Sequence, residues 1–159
     1  MPRVTLTWQE QLFAAQAGAM RNLSAIARNR SNPHGKPGDP WGANIEGAGA
    51  EAAVAKYLGT YWLAVVTNPQ SLSADVGDPD DRLQIRSTTH TTGRLILHPE
   101  DPDDAPFVLV RGRLPTYDLV GWIFGSDGKR DDFWHKGDGR PAFFVPTDHL
   151  RPMDTLADT

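Results

Sequence analysis

The chain is 159 residues long, has a formal net charge of -4 and contains no cysteine, so it is sized for one ordinary domain and cannot use a disulfide framework, a thiolate zinc site or a thiol nucleophile. Its 16 Lys and Arg are outnumbered by 20 Asp and Glu, which argues against a protein that coats nucleic acid indiscriminately, because such binding rests on basic side chains neutralising phosphates. No apolar run approaches the ~20 residues that span a bilayer, and the N-terminus lacks the apolar core of a signal peptide, so the expectation is a cytoplasmic protein with no membrane partner.

Thr7-Trp8-Gln9-Glu10 reads as a capping box, in which hydroxyl and carboxylate each satisfy an orphan amide at a helix start. The spacing predicts a helix to about Arg28, with Trp8, Leu12, Ala15, Ala19, Leu23 and Ile26 forming an inward stripe. Arg21, Arg28 and Arg30 gather toward its C-terminal end and complement the macrodipole. Residues Ser31 to Gly42 hold three prolines and three glycines and read as a surface loop. A second helix is expected from Ile45 to Leu58, stopped by Gly59, with Glu46 favouring its N-terminal dipole.

Strands are expected at Tyr61–Thr67, Ser71–Val76, Leu83–Thr89, Arg94–His98, Phe107–Arg113, Tyr117–Phe124 and Ala142–Val145. Leu83 to Thr88 alternates, with Leu83, Ile85 and Ser87 on one face and Gln84, Arg86 and Thr88 on the other. The GDPDD segment with Asp78, Asp80 and Asp81 is turn chemistry. Glu100, Asp101, Asp103 and Asp104 form an acidic, solvated loop without the glycine or distal glutamate of a calcium loop. A helical turn near Asp148 to Arg151 and a frayed tail after Met153 close the chain. The whole is expected to be α+β, a mixed central β-sheet flanked by helices. It forms one domain over 1–159, with an N-terminal helix and loop (1–43), a core (44–146) and a tail (147–159).

The chemistry-bearing residues follow in a suggestive order. On a helical wheel Ala48, Val54, Ala55 and Leu58 fall within about 60° of Glu51, so this carboxylate stands in an apolar stripe and must be paired, protonated or metal-bound. Asp75 and Gln84 flank the turn, and a hairpin across it would bring them level. Gln84 and Arg86, two apart, project to one face. The bland reading is an ion cluster in which Arg86 pairs with Asp75 and Glu51.

A helix with an inward Glu, a strand-borne Asp and a strand bearing an E-x-K-like triplet resembles the PD-(D/E)XK nuclease superfamily. The stretches NIEGAGAEAAVAKYLGTYW, DVGD with LQIRSTT, PFVLVRG, YDLVGWIFG and GRPAFFVP also look like a group of small phage-encoded proteins. The resemblance implies a restriction-endonuclease-like core and Mg²⁺-dependent hydrolysis of DNA phosphodiesters. It makes Glu51, Asp75, Gln84 and Arg86 the catalytic set, and Asp75, Glu51 and the Ile85 carbonyl the metal ligands. Gln84 stands where the family has Glu or Asp, which removes a negative charge; Arg86 stands where it has Lys and cannot shed a proton to activate water. Two functions follow. One is a metal-dependent DNA nuclease; the other is a catalytically inactive nuclease-fold module of a phage that binds a host or phage protein, counter-defence included.

Other signals carry less. The five histidines show no HExxH and no close helical pair. Trp122, Phe124, Trp134 and Phe143 read as packing residues. Lys129, Arg130, Lys136 and Arg140 offer a DNA contact that Asp127, Asp131, Asp132 and Asp138 nearly cancel.

Overall fold

The computed structural model describes residues 1–28, 39–66, 75–77, 82–137 and 140–158. A short strand, β1 (Arg3–Thr5), precedes helix α1 (Trp8–Ala27). The capping box forms as expected: the Thr7 amide donates to Glu10 Oε2 at 2.6 Å and the Glu10 amide to Thr7 Oγ1 at 3.3 Å. The inward stripe is a different one. Ala14, Ala17, Gly18 and Asn22 are buried, while Trp8, Leu12, Leu23 and Ile26 are exposed. Small residues won because α1 packs closely on the next helix: a Cβ on Gly18 would lie 2.5 Å from the Ile45 Cα.

That helix, α2 (Pro40–Leu58), starts five residues earlier than expected. Asp39 caps it by accepting from the Trp41 amide at 3.0 Å, and Pro40 suits the first turn, where no amide donor is needed. Gly59 ends it at φ 65°, a left-handed cap. Residues 48–55 are all buried, because α2 lies between α1 and a sheet and meets protein on both sides.

The sheet is mixed and four-stranded, in the order β1, β5 (Thr116–Phe124), β4 (Pro106–Arg113), β2 (Gln84–Thr88). β1, β5 and β4 run antiparallel, and β2 is parallel to β4. A separate antiparallel sheet orders β3 (Leu95–Leu97), β7 (Ala142–Val145) and β6 (Trp134–His135). The fold is therefore α+β with a mixed sheet, but the strands form two sheets rather than one. A single turn, α3 (Gly125–Gly128), follows β5.

A bulge explains how β5 serves two cores. Leu109 faces Gly121 and Val110 faces Leu119, so Val120 is an extra residue and the alternation shifts by one. Tyr117, Leu119, Trp122 and Phe124 thereby join α2 in the first core, with Val108 and Val110 from β4. Val120 and Ile123 join Phe107, Leu109 and the β3–β7 side in the second.

Tyr61 to Val66 is not the expected strand; only Trp62 bridges to Val76. Ala64 has φ 47°, which breaks the extension, and Trp62 and Ala64 instead cap the Ala14, Ala17 and Ala48 contact between the helices. Arg30, Ser31 to Gly38, Thr67, Ser71 to Ala74, Asp78, Asp80, Asp81 and Asp138 lie outside the described residues. The tail is not frayed. Thr147–His149 and Met153–Asp158 are 3-10 turns, Met153 and Leu156 are buried in the first core, and the Trp122 indole donates to the Pro152 carbonyl at 3.1 Å and Thr155 Oγ1 at 3.0 Å. Among the described residues no helix is long and apolar enough to cross a membrane.

Candidate functional site

Glu51 stands in the middle of the buried run of α2 and is 8% exposed, as its place on the wheel predicts. Both of its oxygens are held by Arg21, whose Nη1 donates to Oε1 at 2.6 Å and Nη2 to Oε2 at 2.7 Å. The Trp62 indole donates to Oε2 at 2.9 Å. Arg21 uses its remaining edge on the Val65 carbonyl, 2.6 Å from Nε. The backbone that would have paired in a strand at Tyr61–Thr67 is thus held by a guanidinium instead. Burial works against the Arg21 charge, but the Glu51 hydrogen bonds and the fields of Glu51 and Asp75 outweigh it and hold its pKa above the ordinary value.

Arg21 therefore faces α2 rather than serving the macrodipole of its own helix. The signal is present in the sequence: Ala14, Ala17, Gly18 and Arg21 recur at three- and four-residue steps, a small-residue face with a long cation at its end. Trp62 has no such signal.

Asp75 meets the start of β2. Its amide donates to the Leu83 carbonyl at 2.7 Å, and its Oδ2 accepts from the Ile85 amide at 2.8 Å. Burial, then repulsion from Glu51, pushes its carboxyl up to about 6, against the pull of the Ile85 amide, Arg86 and Arg21. The helix acid and the acid before β2 are therefore within each other's field. Asp75 is thereby level with Gln84, held by a backbone bond to Leu83 and a side-chain bond to Ile85, while the ladder partner of β2 is β4, in parallel.

Gln84 and Arg86 flank the buried Ile85, as alternation requires. Arg86 does not pair with Asp75 or Glu51. Its Nη2 lies 3.0 Å from Asp101 Oδ1, and its guanidinium sits 5.1 Å from the Phe107 ring centroid. Glu100, Asp103 and Asp104 are exposed, as a solvated loop requires, and Asp101 is the covered exception. Asp101 binds Arg86 and accepts from the His98 amide at 2.8 Å, Asp103 pairs with Lys129 at 2.8 Å, and Asp104 and Glu100 pair with Arg82 and Arg140. Lys129 also donates to the Pro99 carbonyl at 3.1 Å, and Arg130 pairs with Asp132 at 3.0 Å. These cations hold an acidic loop and their own neighbours rather than an open phosphate-binding face.

Mg²⁺ takes hard oxygen ligands in near-octahedral array, with one or two carboxylates open to it. Here both Glu51 oxygens accept from Arg21, one Asp75 oxygen accepts from Ile85, and the Ile85 atom that meets Asp75 is its amide. The residues in this arrangement do not fit the ion unless Arg21 leaves Glu51. Among the described residues no three His, Asp or Glu side chains gather as a metal-ligating group.

Glu46, read as a dipole partner, is instead a buried-side acceptor. The Leu114 amide donates to its Oε2 at 3.0 Å and the Tyr117 hydroxyl at 2.9 Å. It borders a groove of about 630 Å³ that is also lined by Asp39, Thr88, Thr89 and Arg113; Glu51, Asp75, Gln84 and Arg86 are not part of that groove. Comparison with protein-family models, curated proteins and solved structures finds no match to this chain.

Proposed function

We propose that this chain is a binding module that presents α1 to another protein, on a restriction-endonuclease-like core whose acidic cluster is a brace. The observation that carries this reading is the two-pronged Arg21–Glu51 contact. The carboxylate that a nuclease would offer to a metal clamps α1 to α2 from inside. Held this way, α1 turns Trp8, Leu12, Phe13, Met20, Leu23 and Ile26 to solvent at 44–71% exposure. An exposed apolar face of that size, broken by Gln9 and Gln16, marks an interaction surface more often than an ordinary monomer surface. In a phage setting the partner would be a host or phage protein, a defence factor among them.

Metal-dependent DNA hydrolysis is the second reading, favoured by one observation: Asp75 is half-buried and within the field of Glu51, with Gln84 and Arg86 on the adjoining strand. It predicts that purified protein with Mg²⁺ or Mn²⁺ cleaves supercoiled, linear or single-stranded DNA and that Asp75→Ala abolishes the cleavage. The binding-module reading predicts inertness toward all three substrates, and cleavage lost in Asp75→Ala would overturn it.

A further inference from the structure

We infer that the occupant of the outward α1 face is a second copy of this chain, the two helices crossing antiparallel about a two-fold axis; this rests on the reading of α1 as a binding surface. Three observations carry it. The face is self-complementary. Trp8 and Ile26 stand at equal distances from the middle of the stripe, as do Leu12 and Leu23, with Ala15, Gln16 and Ala19 between them. A two-fold axis near residue 17 sets Trp8 against Ile26 of the other copy and Leu12 against Leu23, the self-matching that an isologous contact requires. Ala15 and Ala19 then lie where the axes approach most closely, with Gln16 at their flank, and the bulky residues where crossed helices diverge.

The face also carries no charge. The two charged residues of α1 are Glu10 and Arg21; Glu10 is bound by Lys56 at 2.7 Å and Arg21 by Glu51. Two identical surfaces can therefore meet without like charges opposing one another. A membrane or nucleic-acid occupant would want several Lys or Arg around the apolar stripe, and α1 offers the inward Arg21 and, at its C-cap, Arg28. The area is of the right order as well. Trp8, Leu12, Leu23 and Ile26, at 44–71% exposure, put roughly 450 Å² in solvent and Phe13 and Met20 at the edge of the face raise this to roughly 600 Å², against the ~800 Å² per partner of a standard stable interface.

The test is the mass of the full chain in solution at tens of micromolar by light scattering. The expected result is twice 17.5 kDa, with Leu12→Asp plus Leu23→Asp weakening self-association by at least about a hundredfold at unchanged circular dichroism, since neither leucine is part of the protomer core. Orientation is read from cysteines placed in a chain that has none. Oxidising a mixture of Leu12→Cys and Leu23→Cys chains should give a covalent heterodimer, while neither variant cross-links by itself; cross-linking of Leu12→Cys to itself overturns the antiparallel arrangement. A monomeric wild type overturns the second copy as occupant. In that case fluorescence of the apolar dye anilinonaphthalene sulfonate separates two outcomes. Binding that is lost in the double Asp variant leaves α1 a surface for a different protein, and absence of binding overturns both readings.

Discussion

Asp75 is a carboxylate whose charge the fold disfavours. Its carboxyl is raised from 3.8 to about 6, so the folded chain binds a proton there that the unfolded chain has already released. Stability from this group is complete below about pH 4, declines as pH rises through about 6, and is absent above. Asp75→Asn keeps an oxygen for the Ile85 amide and removes the charge. We expect the variant to be more stable at pH 7 by on the order of 2–3 kcal/mol. The difference between variant and wild type should vanish near pH 3.5 in urea unfolding measured across a pH series; a difference that does not change with pH would contradict the assignment. Glu51 behaves oppositely, because removing its charge strands a buried cation. Glu51→Gln is expected to cost about 3 kcal/mol, and the double variant Arg21→Met, Glu51→Gln should recover most of that loss. Non-additivity in this cycle is the measurement. Full additivity would mean that the two side chains do not hold one another.

At the scale of elements, the α1–α2 crossing depends on the absence of a side chain at Gly18, where a Cβ would lie 2.5 Å from the Ile45 Cα and 2.7 Å from the Asn44 carbonyl. Gly18→Ala should push the helices apart and lower the unfolding midpoint, at about 1–3 kcal/mol. At Gly47, in the same α2, an added Cβ would meet nothing within 4 Å. Gly47→Ala should therefore raise stability by about 0.5–1 kcal/mol through helix propensity and a less free unfolded chain. The two changes are chemically identical and opposite in sign, which makes the pair a direct test of the packing. The C-terminal turn is a third element with a measurable role. Met153 and Leu156 are 2% and 7% exposed, so Met153→Ala should cost about 2–4 kcal/mol by thermal unfolding, whereas a loose tail would be indifferent to it.

Across the whole molecule, patterns confined to one element were readable in the chain. The Thr7–Glu10 cap, the Gly59 stop, the alternation of Gln84, Ile85 and Arg86, and the burial of Glu51 within α2 all follow from neighbours in sequence. The charged cluster was legible in its acids and not in its bases. Glu51 and Asp75 do come into mutual electrostatic reach, but the partner of Glu51 is Arg21 from 30 residues away and that of Arg86 is Asp101. Helix α1 carries two stripes that both have helical spacing, one small and one bulky, and periodicity cannot rank them. Packing ranked them: a close helix crossing needs small side chains, and a buried carboxylate needs a cation, so the bulky stripe went outward. What the sequence by itself determined is the cap that starts α1, the glycine that stops α2 and the alternation within β2, because capping, alternation and φ preferences act over a few residues. Which face is buried, which cation meets which acid and how the strands divide into two sheets were decided only by the tertiary structure, since these depend on groups that approach one another after the chain has closed.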